Sequence, residues 1–288
     1  MTDTRTISII TCVYNQQSCL FSDCAQSVLR QEGPIEWIIV DDGSDAPFHE
    51  GYRDCLQNIP IEISVKVVRN GCNKGLSRTR NQALRFASGD WIVVLDSDDF
   101  LAPALAHNLR QLPDEATLAC FAVRYFRETH AERRSISRWR DLYRRFGKSI
   151  ADPFLWFDFY YHGIIARRHL LNDIGGYNPD FEVGEDQDIL LRACEAIDVD
   201  SVFFCDEVGY HYRDNPQGVC ATRWGEVEKN YGMTMVAAAR RRGAMFTKCR
   251  MLGTISLDGA DIDAYTYLLG DRWLSWQEFV ISYRGENS

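Results

Sequence analysis

The 288-residue sequence lacks long apolar runs, paired cysteines and any surplus of positive charge. Apolar runs such as WIIV and WIVVL fall far short of the roughly 20 residues that a bilayer-spanning helix needs. The N-terminal MTDTRTISII shows no basic stretch ahead of a long apolar one, so no secretory leader is expected. The ten cysteines are scattered and none forms a CxxC pair. That pattern fits reduced, mostly buried thiols of a cytoplasmic protein, not a disulfide framework or a zinc site. A formal net charge of −9 argues against bulk nucleic-acid binding, which needs a basic face. There is no GxGxxG, HExxH or GxSxG. Gly147-Lys148-Ser149 ends like a phosphate-binding loop, but Leu142 stands where its first glycine belongs. A dehydrogenase, a P-loop enzyme and a serine hydrolase are therefore not expected.

What is present is alternation. TISIITCVY, EWIIV, ISVKVV, WIVVL and ATLACFAVRYF read as strands. Between them, Gln16–Gln31, Phe48–Asn58 and Leu76–Ala87 read as helices, and Pro103 lies near the start of another. Such alternation predicts an α/β fold with a mostly parallel central sheet flanked by helices. The polar and basic stretch Glu128–Ile150 is expected to be helical, and it overlaps a basic segment, Arg124–Lys148. That segment reads either as a solvated face or as a surface for peripheral contact with anionic membrane, at the membrane's inner face. DPFLWFDFYYHG is either packed core or an aromatic platform for a ligand. From about Ala221 onward the chain reads as mostly helical.

Polar residues follow each early strand: Tyr14-Asn15, then Asp41-Asp42-Gly43-Ser44, then Arg69-Asn70 with Asn73-Lys74-Gly75, then Asp96-Ser97-Asp98-Asp99. Open α/β sheets bind ligands beyond the carboxyl ends of their strands, so these four ends mark one working edge. Residues two apart in an extended segment point the same way, which lets Asp96 and Asp98 face one site. Their hard oxygens suit Mg²⁺ or Mn²⁺, and a cation shared with a diphosphate would relieve their mutual repulsion. Taken alone, Asp98 or Asp99 could equally cap the following helix.

In order and spacing, ISIITCVYN, IIVDDGS, NKGLSRTRNQAL, WIVVLDSDDFLAP, IGGYNPDF and GEDQDILLRA resemble the family-2 glycosyltransferases of the GT-A fold, over roughly Ile7 to Arg213. The resemblance implies a GT-A domain over 1–220, with a nucleotide-binding half (1–115), an acceptor-side half (116–220) and a helical C-terminal extension (221–288). It implies an inverting, metal-dependent transfer from a nucleotide-diphosphate sugar, a UDP-sugar by preference, to an acceptor hydroxyl. Thr11, Val13 and Tyr14 match the segment that packs on the base. Asp42 matches the acid that bonds base or ribose, with Asp41 as the second choice. Asn73 and Arg80 match positions lining the nucleotide and diphosphate. Asp98 matches the direct metal ligand of a DxD motif, with Ser97 beside it and Asp96 bonding the ribose or a metal-bound water. Asp186 matches the general base. His211, expected in a loop after SVFFC, matches a metal ligand, and Arg213 a diphosphate contact. A nucleotidyltransferase and a non-catalytic nucleotide-sugar-binding module are the competing readings. TCVYNQQSCL counts against the first, for it lacks the glycine- and basic-rich loop expected there. The sequence names neither the acceptor nor an oligomeric state.

Overall fold

The computed structural model describes residues 5–127, 130–134, 163–241, 248–257, 260–269 and 272–275. The aromatic stretch from Asp152 to His162 and the basic residues from Arg138 to Lys148 lie outside them. Four parallel strands build the first half: β1 (Ile7–Val13), β2 (Ile35–Asp41), β3 (Ile63–Arg69) and β4 (Trp91–Val94). They lie in the order β3-β2-β1-β4. β1, β2 and β4 are buried along nearly their whole length. Unbroken apolar runs are what strands covered on both faces require.

The connections are α1 (Ser18–Leu29), α2 (Phe48–Tyr52) and α3 (Leu76–Phe86), close to their predicted positions. Trp37 and Trp91 are fully buried, and Phe21 of α1 stacks on Trp37 at 6.0 Å between centroids. Cys24 and Cys120 are buried thiols, but Cys19 and Cys72 are exposed and Cys12, Cys55, Cys194 and Cys205 are partly buried, so the expectation of mostly buried cysteines is corrected.

Beyond β4 the sheet becomes mixed. The next elements are β5 (Phe100–Leu101), α4 (Leu105–Arg110), β6 (Leu118–Arg127), β7 (His130–Arg134), β8 (Ile165–Arg167), α5 (Arg168–Asp173), α6 (Glu185–Ala196) and β9 (Val202–Arg213). The order continues from β4 as β8-β6-β9-β5, with β7 on β6. β8 runs antiparallel to β4 and to β6, while β6 and β9 are parallel. Strand direction depends on which distant strand a segment pairs with, and local pattern does not carry that. The helix expected from Glu128 is corrected in part, because His130–Arg134 is a strand antiparallel to β6.

The C-terminal segment also departs from expectation. α7 (Val219–Thr222) and α8 (Trp224–Arg241) are helical. Then β10 (Lys248–Leu257), β11 (Ala260–Leu269) and β12 (Arg272–Ser275) form a separate antiparallel sheet. The alternation in ADIDAYTYLL is a strand signal that the helical reading passed over. Among the described residues, no helix is long and apolar enough to cross a membrane.

Candidate active site

The carboxyl ends of β1, β2, β3 and β4 meet, and hydrogen bonds between their loops lock the meeting. Asn15 takes a left-handed φ of +48°. Its backbone N–H donates to Ser44 Oγ (2.9 Å), and its side chain both donates to Asp45 Oδ2 and accepts from the Asp45 N–H. Gly43 sits at φ +76°, and a Cβ there would lie 2.5 Å from the carbonyl carbon of Cys72. Only glycine lets the loop after β2 press on the loop after β3. Asp42 then holds that second loop: its Oδ1 accepts from Asn70 Nδ2 (2.8 Å) and the Lys74 N–H (3.0 Å), and its Oδ2 from the Gly75 N–H (3.0 Å). Asp41 is fully buried, accepts from the Ser44 N–H and pairs with Arg69 at 3.3 Å. Half of Tyr14 remains exposed on this rim.

The acidic cluster after β4 is held by β9. Tyr210 donates its hydroxyl to Asp99 Oδ2 (2.7 Å) and accepts from the Asp96 N–H (3.2 Å). The Arg213 N–H donates to Asp99 Oδ1 (2.7 Å), and Arg213 Nε to the Asp98 carbonyl (2.8 Å). Asn215 Nδ2 donates to Asp98 Oδ2 (3.0 Å). Burial pushes Asp98 above the usual carboxylate range, against the Asn215 bond and with the help of Asp96. Burial and the neighbouring Asp98 and Asp96 push Asp99 up much further. Asp99 is thus the buried anchor of this turn. Ser97 Oγ accepts from Gln16 Nε2 (2.9 Å), tying the turn to the end of β1.

Arg80 joins this cluster to a second one. It is almost completely buried in α3, with Nη2 on Asp96 Oδ1 and Nη1 on Glu185 Oε1, both at 2.5 Å. A planar guanidinium presents its two terminal nitrogens in a rigid fork, one to each carboxylate, where a lysine would bring a single compact ammonium. Glu185 and Asp186 open α6, where acidic side chains favour the helix dipole. Glu185 is buried, and its raised pKa is limited by Arg80. Asp186 is half-buried and accepts from the Gln187 N–H (2.7 Å). Burial, then the charge of Glu185, lift it well above the carboxylate range, with Arg80 opposing.

Several expected site residues are placed differently. Thr11 is fully buried, and its hydroxyl accepts from Trp37 Nε1 (3.1 Å), so it packs the core. Val13 is buried as well; only Tyr14 of that segment reaches the rim. Asn73 is exposed, and its Oδ1 accepts from the Gly75 N–H. His211 lies within β9 and not in a loop, its ring stacked on Phe100 at 4.4 Å between centroids. Burial and Arg124 push its pKa down to about 4. Asn215 is the side chain that reaches Asp98 from this end of the chain. Sequence reasoning passed over Asn215, Tyr210 and the anchoring role of Asp99; nothing local ties residues more than a hundred positions apart.

The donor set at Asp98 and Asp96 is oxygen only. Among the described residues no group of three or more His, Cys, Asp or Glu is arranged to hold a metal ion. The described residues alone therefore do not close a coordination shell. Asp98, with one hydrogen bond on Oδ2, suits a divalent ion whose other positions are filled by water and phosphate oxygens.

A family model described as Glycosyl transferase family 2 matches residues 8–175. The O-antigen biosynthesis protein RfbC of Myxococcus xanthus is 26% identical over 212 residues, which cover 72% of this chain and 16% of that protein. The uncharacterized glycosyltransferase EpsJ of Bacillus subtilis (strain 168) is 25% identical over 226 residues, covering 74% of this chain and 62% of that one. The chain thus spans less than two thirds of either relative. Among solved structures, S. aureus TarS 1–349 in complex with UDP-GlcNAc superposes with a TM-score of 0.61 at 18% identity, over 82% of this chain and 66% of that one. The mannosyltransferase PcManGT from Pyrobaculum calidifontis, in complex with GDP-Man and Mn²⁺, gives a TM-score of 0.56 at 21% identity, over 81% and 64%. Since the family match takes in more than half of the residues, this chain belongs to glycosyl transferase family 2, with a GT-A-type fold.

Proposed function

We propose that this protein transfers a sugar from a nucleotide-diphosphate donor to an acceptor hydroxyl with inversion at the anomeric carbon. The observation that carries the reading is the Arg80 bridge, which holds the acidic turn after β4 and the acidic start of α6 in one cluster. Donor and base would then meet across that cluster. Tyr14 offers an exposed ring to the base, and Asp42 keeps the β3–α3 loop shaped around the nucleotide. Asp98, with Asp96, would hold a Mg²⁺ or Mn²⁺ ion, which supplies charge stabilisation to the departing diphosphate. Arg213 is fixed against the same turn by its bond to the Asp98 carbonyl. Asp186 takes the proton of the acceptor hydroxyl as that oxygen attacks the anomeric carbon. Glu185 is committed to Arg80 and does not compete for this role.

A UDP-sugar, hexosyl or N-acetylhexosaminyl, is the favoured donor; the UDP-GlcNAc complex of TarS supports that choice, and the GDP-Man complex of PcManGT is the counter-example. The name of RfbC supports an acceptor in surface polysaccharide synthesis. The test is a thermal-shift panel of UDP-GlcNAc, UDP-glucose, UDP-galactose and GDP-mannose, with and without Mn²⁺, followed by nucleotide release. One donor should raise Tm only with the metal, and Asp98→Ala should abolish that rise. Metal-independent shifts of equal size in wild type and Asp98→Ala would overturn the metal assignment.

A further inference from the structure

The matched family residues end at 175, ahead of both α6 and α8. Yet α8 grips α6 on both sides of Asp186. Asn230 Nδ2 donates to the carbonyl of Val183 at 2.9 Å. The Thr234 hydroxyl, fully buried, donates to Gln187 Oε1, and Gln187 is itself fully buried. Val183 and Val227 form a small apolar contact of their own. Further along, Arg241 pairs with Glu195 at 2.7 Å and approaches Asp188 at 4.0 Å.

The turn that carries Asp186 is held on one side by the Arg80–Glu185 pair, and its two ends, Val183 and Gln187, are held by α8. Gly184 caps α6 at φ +76° with no side-chain hydrogen bond. A glycine in this region is the most conformationally free residue the chain could place there. Asp186 bonds only locally, to the N–H of the next residue. Val183 before it and Gln187 after it are where α8 attaches. We infer that Asn230 and Thr234 of α8 are positioning residues for the reaction: they clamp the Val183–Gln187 turn and so aim the Asp186 carboxylate at the acceptor. This rests on Asp186 being the base, and it gives the C-terminal segment a part in catalysis. A displacement of about 1 Å in a reacting group can cost on the order of 100-fold in rate, so a clamp of this kind is felt in turnover before it is felt in donor binding.

The test uses the full chain with Thr234→Val, Asn230→Ala, the double variant, Thr234→Ser and Asp186→Asn. Backbone hydrogen exchange at residues 184–188 is the readout that needs no substrate. It should rise about tenfold or more in the double variant, with exchange in β1, β2 and β4 unchanged, and Thr234→Ser should restore it. With the donor that turns over best among UDP-GlcNAc, UDP-glucose, UDP-galactose and GDP-mannose, kcat should fall about tenfold or more while donor KM stays within about twofold. Should the double variant not fold, Asn230→Ala alone, which removes one partly buried bond, gives the same readouts at smaller amplitude. Unchanged exchange at 184–188 overturns the clamp. So does a uniform loss of protection, with kcat, KM and Tm falling together and no rescue by serine, for that is a structural role only. If Asp186→Asn abolishes transfer and the clamp variants do not slow it, the clamp fails and the base assignment stands. If Asp186→Asn is fully active, the base assignment fails and the clamp's catalytic purpose with it.

Discussion

Arg80→Met is the sharpest perturbation of the site, because it keeps a long side chain and removes only the charge that joins two carboxylate clusters. The Glu185 side chain is 7% exposed and that of Asp96 36%. Losing one partner of a buried pair costs about 3–5 kcal/mol, since the other charge is left unmatched. The Asp96 half is screened by water and adds little, so the expected loss at pH 8 is about 3 kcal/mol. At about 2–4 °C per kcal/mol for a chain of this size class, Tm should fall by roughly 6–12 °C. The loss should depend on pH in a definite direction. Burial already raises the Glu185 pKa above its ordinary 4.5, and Arg80 opposes that rise. Without Arg80 the folded-state pKa climbs further above the unfolded one. A carboxylate raised on folding favours the fold below its unfolded pKa and loses that contribution as pH rises through the folded one. The gap between variant and wild type should therefore be wide at pH 8 and narrow at pH 5. Urea unfolding followed by tryptophan fluorescence measures it, since Trp37 and Trp91 are fully buried. A loss under about 1 kcal/mol at pH 8, or a gap that widens at pH 5, would refute the bridge as the site's structural link. Arg80→Lys should fall between the two, keeping one pairing and losing the fork.

Asp186→Asn should lower kcat by roughly 10²- to 10⁴-fold with donor affinity unchanged, read by steady-state kinetics and calorimetry. Because burial and Glu185 raise the Asp186 pKa, wild-type kcat should rise with pH through a limb above the ordinary carboxylate range. Glu185→Gln should move that limb to lower pH by removing the adjacent negative charge; a limb that stays put denies the coupling. Gly43→Ala should cost roughly 1–3 kcal/mol from the left-handed backbone alone. It should also raise donor KM, because the new Cβ would push the Cys72 backbone away. Unfolding curves and donor titration check the pair, and an unaffected KM would separate that loop from the donor site.

The sequence by itself determined a good deal of this protein. Unbroken apolar runs predicted β1, β2 and β4, which are buried as such runs demand. Helical spacing predicted α1 and α3 to within a residue or two. The polar residues that follow each early strand marked the edge where the loops now interlock through Asn15, Ser44, Asp42 and Asn70. These are local signals: a strand's burial and a turn's chemistry are written in consecutive residues, and so is the order of motifs that places the chain in its family.

What only the tertiary structure decided are the relations between distant segments. The direction of β8 came from its pairing with β4, which brings Trp91 opposite Arg167. The histidine expected in a loop became part of a strand because β6 and β5 both pair with it there. Asp99 reads in sequence as one more acid of the turn, and it becomes the buried anchor only because Tyr210 and Arg213 arrive from β9. Arg80 reads as a surface charge or a ligand contact on an amphipathic helix. In the structure it is a buried bridge, because Asp96 and Glu185 each meet one end of its guanidinium. A buried charge needs partners, and which partners it finds depends on how the chain closes on itself, not on the residues beside it in sequence.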